Sequence, residues 1–523
     1  MATTIQAQLS ALAGDPATLK FRRGIEREAL RVDQTGNLAQ TPHPAALGSK
    51  LTHPSITTDF SESQLELITP VSDSIDETLA HLDRTHRFVV SNLGDEVLWT
   101  ASMPCMLPAD KDIPLAQYGT SNTAKLKTTY RNGLGHRYGR AMQTISAVHY
   151  NFSFPDVFWQ QLAATESQTD SSDYRSRRYF DLMRNFRRFA WLPVYLFGAS
   201  PAVCKSFVQG KAHSLDAFDE GSLYAPGATS LRSGNLGYQS ETQGGMLGIC
   251  YNGLEYYVSA LANAICTSFP GYTALGLKRG DEYVQVNDSI LQTEAEFYTN
   301  IRAKCVPAKG QNFLKALSAS GVEYLEVRLL DINPFLPLGI DEVEIRFLDM
   351  LLMHSLLVPS PEHDELLCRA VNDNMQAVVW RGRDATLMLD DGGNARSVAE
   401  WGEEILQHLA PIADTMDRVH GGDQYHASLE AQRARLADAT LTPSGRIIEA
   451  MKTEGIPYFR FAMNQALKHN EAFRQAPLTD AEVAAFHELS AQSLAEQAQI
   501  EAADDGDFDA YLARINAEYR DLL

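Results

Sequence analysis

Residues 24–32, Gly-Ile-Glu-Arg-Glu-Ala-Leu-Arg-Val, are the stretch on which the fold turns. Apolar and charged residues mix here in a strand-like run, closed by Asp33-Gln-Thr-Gly-Asn37, a turn composition. Side chains along a strand alternate between faces, so Glu26 and Glu28 share one. A carboxylate among apolar neighbours is costly unless it is paired or holds a cation. Other stretches repeat the pattern. Gln64-Leu-Glu-Leu-Ile68 carries Glu66 towards Pro70, shortly after Thr57-Thr-Asp59-Phe60. Glu323-Tyr-Leu-Glu-Val-Arg-Leu-Leu330 places Glu326 and Arg328 on one face, within a strand over 322–330. Residues 143–154 read as a further strand closed by Pro155, with Gln143, Ile145, Ala147, His149 and Asn151 on one face. Periodicity alone leaves two readings open. One is a solvent face with cross-strand ion pairs. The other is a shared polar interior that holds a hard divalent cation, Mg²⁺ above all, on oxygen ligands.

Around these strands the spacing predicts helices over 2–20, 76–92 and 251–264, and over 175–197 as far as Pro193; 165–173 reads as a polar loop. Beyond about residue 340 the character changes. Residues 342–357 and 401–419 are apolar at helical spacing, with Gly421-Gly422 as a stop, and Pro361 suits a first helical position. Thr479-Asp-Ala-Glu482 is a capping box ahead of a broad apolar stripe. The expected organisation is therefore a β-rich catalytic core over 1–340 and a mostly helical region over 341–523. From Leu478 onward there are eleven acidic and two basic residues, which read as a solvated helical face.

The 523-residue chain is 44% apolar, ample for a large core, and its 45 Lys plus Arg against 66 Asp plus Glu give a net charge of −21. Such acidity argues against nucleic acid and against an anionic membrane surface, though not against a nucleotide brought in with divalent cations. The six cysteines form no C-x-x-C pair and suit reduced thiols in a cytoplasm; no leader or spanning segment is visible. There is no phosphate-loop signature, no H-E-x-x-H and no G-x-S-x-G, and Gly133-Leu-Gly-His-Arg-Tyr-Gly139 misses the dinucleotide spacing by one residue.

Taken in order, the quoted stretches resemble the motifs of the proteobacterial glutamate–cysteine ligases. The opening 24–31 block is followed by Leu51-Thr-His53 with Ile56-Thr-Thr-Asp-Phe60 and Leu65-Glu-Leu-Ile-Thr-Pro70. Next come Ala116-Gln-Tyr-Gly-Thr-Ser-Asn-Thr123 and Met142-Gln-Thr-Ile-Ser-Ala-Val-His-Tyr-Asn-Phe-Ser153. Tyr195-Leu-Phe-Gly-Ala-Ser-Pro201, Ala228-Thr-Ser-Leu-Arg232, Glu323–Arg328 and Asp331-Ile-Asn-Pro-Phe335 complete a run that spans about residues 20–350.

The resemblance implies an α+β fold with a glutamine-synthetase-like antiparallel sheet curved into a funnel and surrounded by helices. It implies ATP-dependent joining of L-glutamate, through its γ-carboxylate, to L-cysteine via γ-glutamyl phosphate, the first step towards glutathione, with glutathione as a feedback inhibitor. By the same resemblance, Glu26, Glu28, Asp59, Glu66, His149 and Glu326 would hold two or three Mg²⁺ ions, with Mn²⁺ an alternative. Arg328 would be the catalytic and substrate-binding arginine, and Arg232 a second cation for a carboxylate or phosphate. Phe60, Tyr130, Gln143, Tyr238 and Tyr298 would form the cysteine pocket. Tyr298-Thr-Asn-Ile-Arg-Ala-Lys-Cys305 follows the family pattern in part, with Cys305 in place of a basic residue, and leaves the roles of Arg302 and Lys304 open. Two other readings remain: a ligase for another amine, and a non-catalytic sensor that keeps the fold.

Overall fold

Strand β1 (Arg22–Val32) runs through a seven-stranded antiparallel sheet in the computed structural model. The structure describes residues 2–104, 106–236, 247–504 and 506–523. The other strands are β2 (Ile56–Thr58), β3 (Gln64–Ile68), β4 (Val97–Leu98), β5 (Val148–Ser153), β6 (Ile301–Lys304) and β7 (Tyr324–Leu330). Their order is β6-β7-β5-β1-β3-β2, with β4 paired to the last residues of β1.

Register decides which side chains meet. Glu26 stands opposite His149 on β5 and Ile68 on β3, and Glu28 stands opposite Glu66. Glu326 on β7 faces Asn151 on one side and Arg302 of β6 on the other. Since alternate residues share a face, all these polar groups lie on one side of the sheet. The opposite side carries Ile25, Ala29, Leu65, Leu67, Tyr150, Phe152, Leu325 and Val327, all buried. The two-faced sheet thus separates chemistry from core.

Helices surround the sheet. The main ones are α1 (Ile75–Ser91), α2 (Asn122–Tyr138), α3 (Ser172–Phe189), α4 (Glu342–Leu357), α5 (Val398–His420), α6 (Tyr458–Gln475) and α7 (Asp480–Ala503), with α2 beside the polar side. Nearly every residue of α4 is buried, the pattern of a helix enclosed on all sides. One buried ion pair ties it to the sheet: Arg23 of β1 meets Asp349 of α4 at 2.5 Å, and the Tyr150 hydroxyl donates to the same carboxylate at 2.6 Å. The α+β expectation holds. No described helix is long and apolar enough to cross a membrane.

Several local expectations shift. The first helix stops at Leu12, and Asp15 caps a separate short turn over Pro16–Leu19. Residues 140–143 are helical, so the strand expected from 143 starts only at Val148 and Gln143 does not share the His149 strand face. The break in the 175–197 stretch falls at Ala190. Pro193 lies in the first turn of the next helix, Trp191–Phe197, where its missing N–H breaks no intrahelical bond. Pro361 does not begin a helix: Asp364 caps Glu365–Arg381, its carboxylate accepting from the Leu367 amide at 2.8 Å. The Thr479 capping box forms as read, and Gly421 ends α5 with φ at 80°.

Candidate active site

Six groups expected to ligate metal come from separate segments onto the polar side of the sheet. Glu26 and Glu28 come from β1, Glu66 from β3, His149 from β5 and Glu326 from β7, while Asp59 follows β2. His149 is the hub. Its Nδ1 lies 3.2 Å from Glu26 and 3.9 Å from Glu326, and its Nε2 lies 3.6 Å from Glu28. One donor atom each of Glu26, Glu66 and His149 fall within 4.8 Å of one another. Asn151 donates to Glu26 at 2.8 Å, and the Ala147 amide donates to Glu28 at 2.8 Å, which aims both carboxylates.

Electrostatics divide the acids into two sets. Burial pushes Glu28 well above the ordinary carboxylate range, and the charges of Asp59 and Glu66 push it further. Glu66 is raised in the same way by burial, Glu26 and Asp59. Burial is the largest influence on Glu26 too, but the hydrogen bond and charge of His149 together with Lys304 outweigh it and the carboxyl is held down. Burial likewise opposes ionisation of Glu326, yet Lys304, Arg328 and Arg302 outweigh it and hold this carboxyl far below its usual range. His149 is kept neutral by burial and by Arg328, which suits a ligand nitrogen.

The donor set fits a hard divalent cation. Carboxylate oxygens dominate it, and two of its buried atoms, His149 Nε2 and Glu326 Oε2, have no hydrogen-bond partner among the described residues. Like charges so close favour a bound cation, because each acid otherwise raises its neighbours.

Cations stand at the β7 end. The Arg328 guanidinium donates to Glu326 at 3.1 Å, and its amide donates to the Asn300 carbonyl at 2.8 Å. Arg232 donates to the Arg328 carbonyl at 2.6 Å and pairs with Asp331 at 3.5 Å. Asp331 itself accepts from the Ala199 amide at 2.7 Å and the Ser230 hydroxyl at 2.9 Å. Arg302 and Lys304 each lie 3.8 Å from Glu326. Arg232, Arg328 and Tyr298 line a cavity of about 560 Å³, in the size range of small-molecule sites.

Phe60, Tyr130, Gln143 and Tyr298 gather beside the acids. Gln143 donates to the Tyr298 hydroxyl at 2.9 Å, and both tyrosines pack against the apolar cluster that holds Phe60. Tyr238 lies outside the described residues. Three features were missed in the sequence: the orienting Asn151, the anchoring Asp331, and the cations Lys127 and Arg131 of α2. Asn151 shares the alternation of His149. Lys127 and Arg131 bear only the spacing that puts them on the Tyr130 face of a helix.

Comparison with known proteins shows the family. A family model described as glutamate-cysteine ligase matches residues 7–378. A glutamate–cysteine ligase of Alcanivorax borkumensis is 49% identical over 519 residues, covering 97% of this chain and 98% of that protein. One from Pseudomonas aeruginosa is 47% identical over 521 residues, covering 99% and 98%. A crystal structure of glutamate–cysteine ligase from Francisella tularensis in complex with AMP superimposes with a TM-score of 0.90 at 36% identity, covering 96% of this chain and 99% of that one. A bifunctional glutathione synthetase from Pasteurella multocida, 24% identical with a TM-score of 0.68 over 90% of this chain and 53% of its own, shares the fold. With a family model over most of its length and relatives near half identity across nearly all of it, this chain belongs to the glutamate–cysteine ligase family.

Proposed function

We propose that the acidic face between β3 and β7 is where this ligase carries out its reaction. The enzyme joins the γ-carboxylate of L-glutamate to the amine of L-cysteine with ATP, giving γ-glutamylcysteine, ADP and phosphate, the first step of glutathione synthesis. A carboxylate is a poor acyl donor, so its γ-oxygen first attacks the ATP γ-phosphorus and forms γ-glutamyl phosphate. The cysteine amine then displaces phosphate.

Both steps bring anions together, and this is the problem the site has to solve. Glu26, Glu28, Asp59, Glu66, His149 and Glu326 would hold two or three Mg²⁺ ions, with Mn²⁺ also fitting the donors. Bound there, the metal supplies neutralisation of the triphosphate and of the incoming carboxylate. Arg328, with a planar fork of donors, would receive the transferring phosphoryl group or the carboxylate it joins, and Arg232 a second substrate anion. Asp331 holds Arg232, and Arg232 holds the Arg328 backbone, so the two guanidiniums are positioned as a unit. Phe60, Tyr130, Gln143 and Tyr298, with Tyr238, would form the cysteine pocket. Glutathione contains the γ-glutamylcysteine unit and would fit the same two subsites as a feedback inhibitor. Reduced thiols and nucleotide substrates suit a cytoplasmic setting.

The observation that carries this assignment is the convergence of five carboxylates and a histidine from separate segments onto one sheet face, with arginines at one end. ADP release is measured with glutamate, with and without cysteine, at varied Mg²⁺. Glu26→Gln and Arg328→Ala should each abolish turnover with little loss of folding. Full activity in either variant overturns the assignment.

A further inference from the structure

Neither the Ala116–Thr123 motif nor the acidic C-terminal segment supplies a metal or substrate group to the reaction, yet the two hold each other. Helix α7 ends at Ala503, and α8 (Phe508–Arg520) follows. Between them, Asp504 docks on the N-terminus of α2. Its carboxylate accepts from the Asn122 backbone amide and, at 2.8 Å, from the Asn122 side chain, which also donates to the Gly506 carbonyl at 3.3 Å. That amide is one of those a helix leaves without an internal partner, and an anion is favoured at this end. Ser121 accepts from the Ala124 amide at 3.3 Å, so α2 is capped both by its own serine and by an acid far along the chain. Glu501 takes the Thr120 amide at 2.9 Å. Gly119 has φ at 120°, and a Cβ there would stand 2.2 Å from a Glu501 carboxylate oxygen, so any other residue displaces this contact.

The inner side of the same segment touches the site. The Tyr118 hydroxyl lies 2.7 Å from the Thr58 carbonyl and 3.0 Å from that of Asp59, and Arg131 Nε donates to the Asp59 carbonyl. Leu126 and Tyr130, one turn apart on α2, pack against a buried cluster of Val286 with Phe508 and Leu512 of α8. Asp509 fixes α8 in turn, accepting from Lys278 at 2.7 Å and from the Tyr283 hydroxyl at 2.9 Å.

A solvated acidic face would leave these carboxylates to water. Glu501, Asp504 and Asp509 instead have protein donors, and the helix they secure carries Tyr130 and Arg131. Tyr130 belongs to the amine pocket and Asp59 to the metal set in the function proposed above, and the inference rests on that reading. We propose that Asp504 and Glu501 are positioning residues. They hold the Ala116–Thr123 motif and α2 so that Tyr130 and Asp59 stand where the amine substrate and the metal bind.

Steady-state kinetics of the full chain, with cysteine and Mg²⁺ varied in turn, tests this. Asp504→Ala should raise KM for cysteine about tenfold, the worth of one hydrogen bond to a charged group, and raise the Mg²⁺ needed for half-maximal rate. Its kcat at saturation should stay within about twofold. Asp504→Asn, which keeps one acceptor, should fall between, and Glu501→Ala should shift the same two quantities. A merely structural role would lower the folded fraction, and with it kcat, while leaving KM alone; that result overturns the inference. Hydrogen exchange supplies a second reading. Peptides over 118–131 should exchange faster in Asp504→Ala, and exchange at open-chain rates over 118–124 in the wild type overturns the inference even where no variant folds. Tyr130→Ala with KM for cysteine unchanged would instead remove the pocket reading, which the exchange result does not depend on.

Discussion

At the scale of single residues, the site is defined by how its acids are kept charged or protonated. Glu326, ringed by Lys304, Arg328 and Arg302, is ionised throughout, whereas burial and neighbouring acids hold Glu28 and Glu66 high. A divalent cation must displace protons from the latter pair, so its apparent affinity rises with pH as they ionise. Isothermal calorimetry of Mg²⁺ binding in two buffers of different ionisation enthalpy should show proton release. Glu66→Gln should reduce that release and weaken binding at least about tenfold. Identical proton release in the variant would remove Glu66 from the ligand set. Arg328→Lys is the companion change. It retains a charge but loses the fork that donates to Glu326 and is proposed to reach a substrate oxygen, and kcat should fall about 100-fold with folding preserved, as measured by steady-state kinetics and thermal melts.

Among elements, the contact between β1 and α4 matters most, because it fixes the strand that carries both Glu26 and Glu28. Arg23, Asp349 and the Tyr150 hydroxyl form a buried group on the apolar side, directly behind the site. Asp349→Ala leaves the Arg23 guanidinium buried without its partner, and the expected loss is about 3–5 kcal/mol in urea unfolding. A loss below about 1 kcal/mol would mean that this pair is of the weak surface kind. Legibility at this scale was uneven. Helix α4 was readable to the residue from its apolar spacing, and the structure adds Asp341 as its cap. The strand expected from Gln143 was not: apolar alternation over 143–147 suits either period, and tertiary packing settled on a helical turn followed by loop.

For the whole molecule, acid should weaken the fold through its interior histidines. Burial depresses His86 and His354 to about 3, from an ordinary 6.5. Below pH 6.5 the unfolded chain takes up protons that the folded chain refuses, so stability is complete above 6.5 and drains away as pH falls towards 3. Each group contributes a slope of about 1.4 kcal/mol per pH unit across that window. Urea unfolding at pH 7.5, 6 and 5 should show the decline. His86→Gln, which removes the ring that hydrogen-bonds the Leu82 carbonyl and stacks on Phe473, should flatten the slope by up to one proton while lowering stability at pH 7.5. An unchanged slope in that variant would place the acid sensitivity elsewhere, and Glu344 cannot be its source. That buried acid is held well above its usual range, so its proton favours the folded state as pH falls.

Strand alternation in the linear sequence was enough to put Glu26 with Glu28, and Glu326 with Arg328, on common faces, because a two-residue period is a local property of the backbone. Ordered motifs over residues 20–350 were enough to specify the family, and with it the α+β architecture and the reaction. Tertiary structure alone decided that His149 meets Glu26, Glu28 and Glu326, that Asp331 anchors Arg232, and that Arg131 of helix α2 donates to the Asp59 carbonyl. Those contacts join residues tens to hundreds of positions apart. They exist only once strand order and helix docking are set, and both are set by burial of the opposite, apolar side of the sheet.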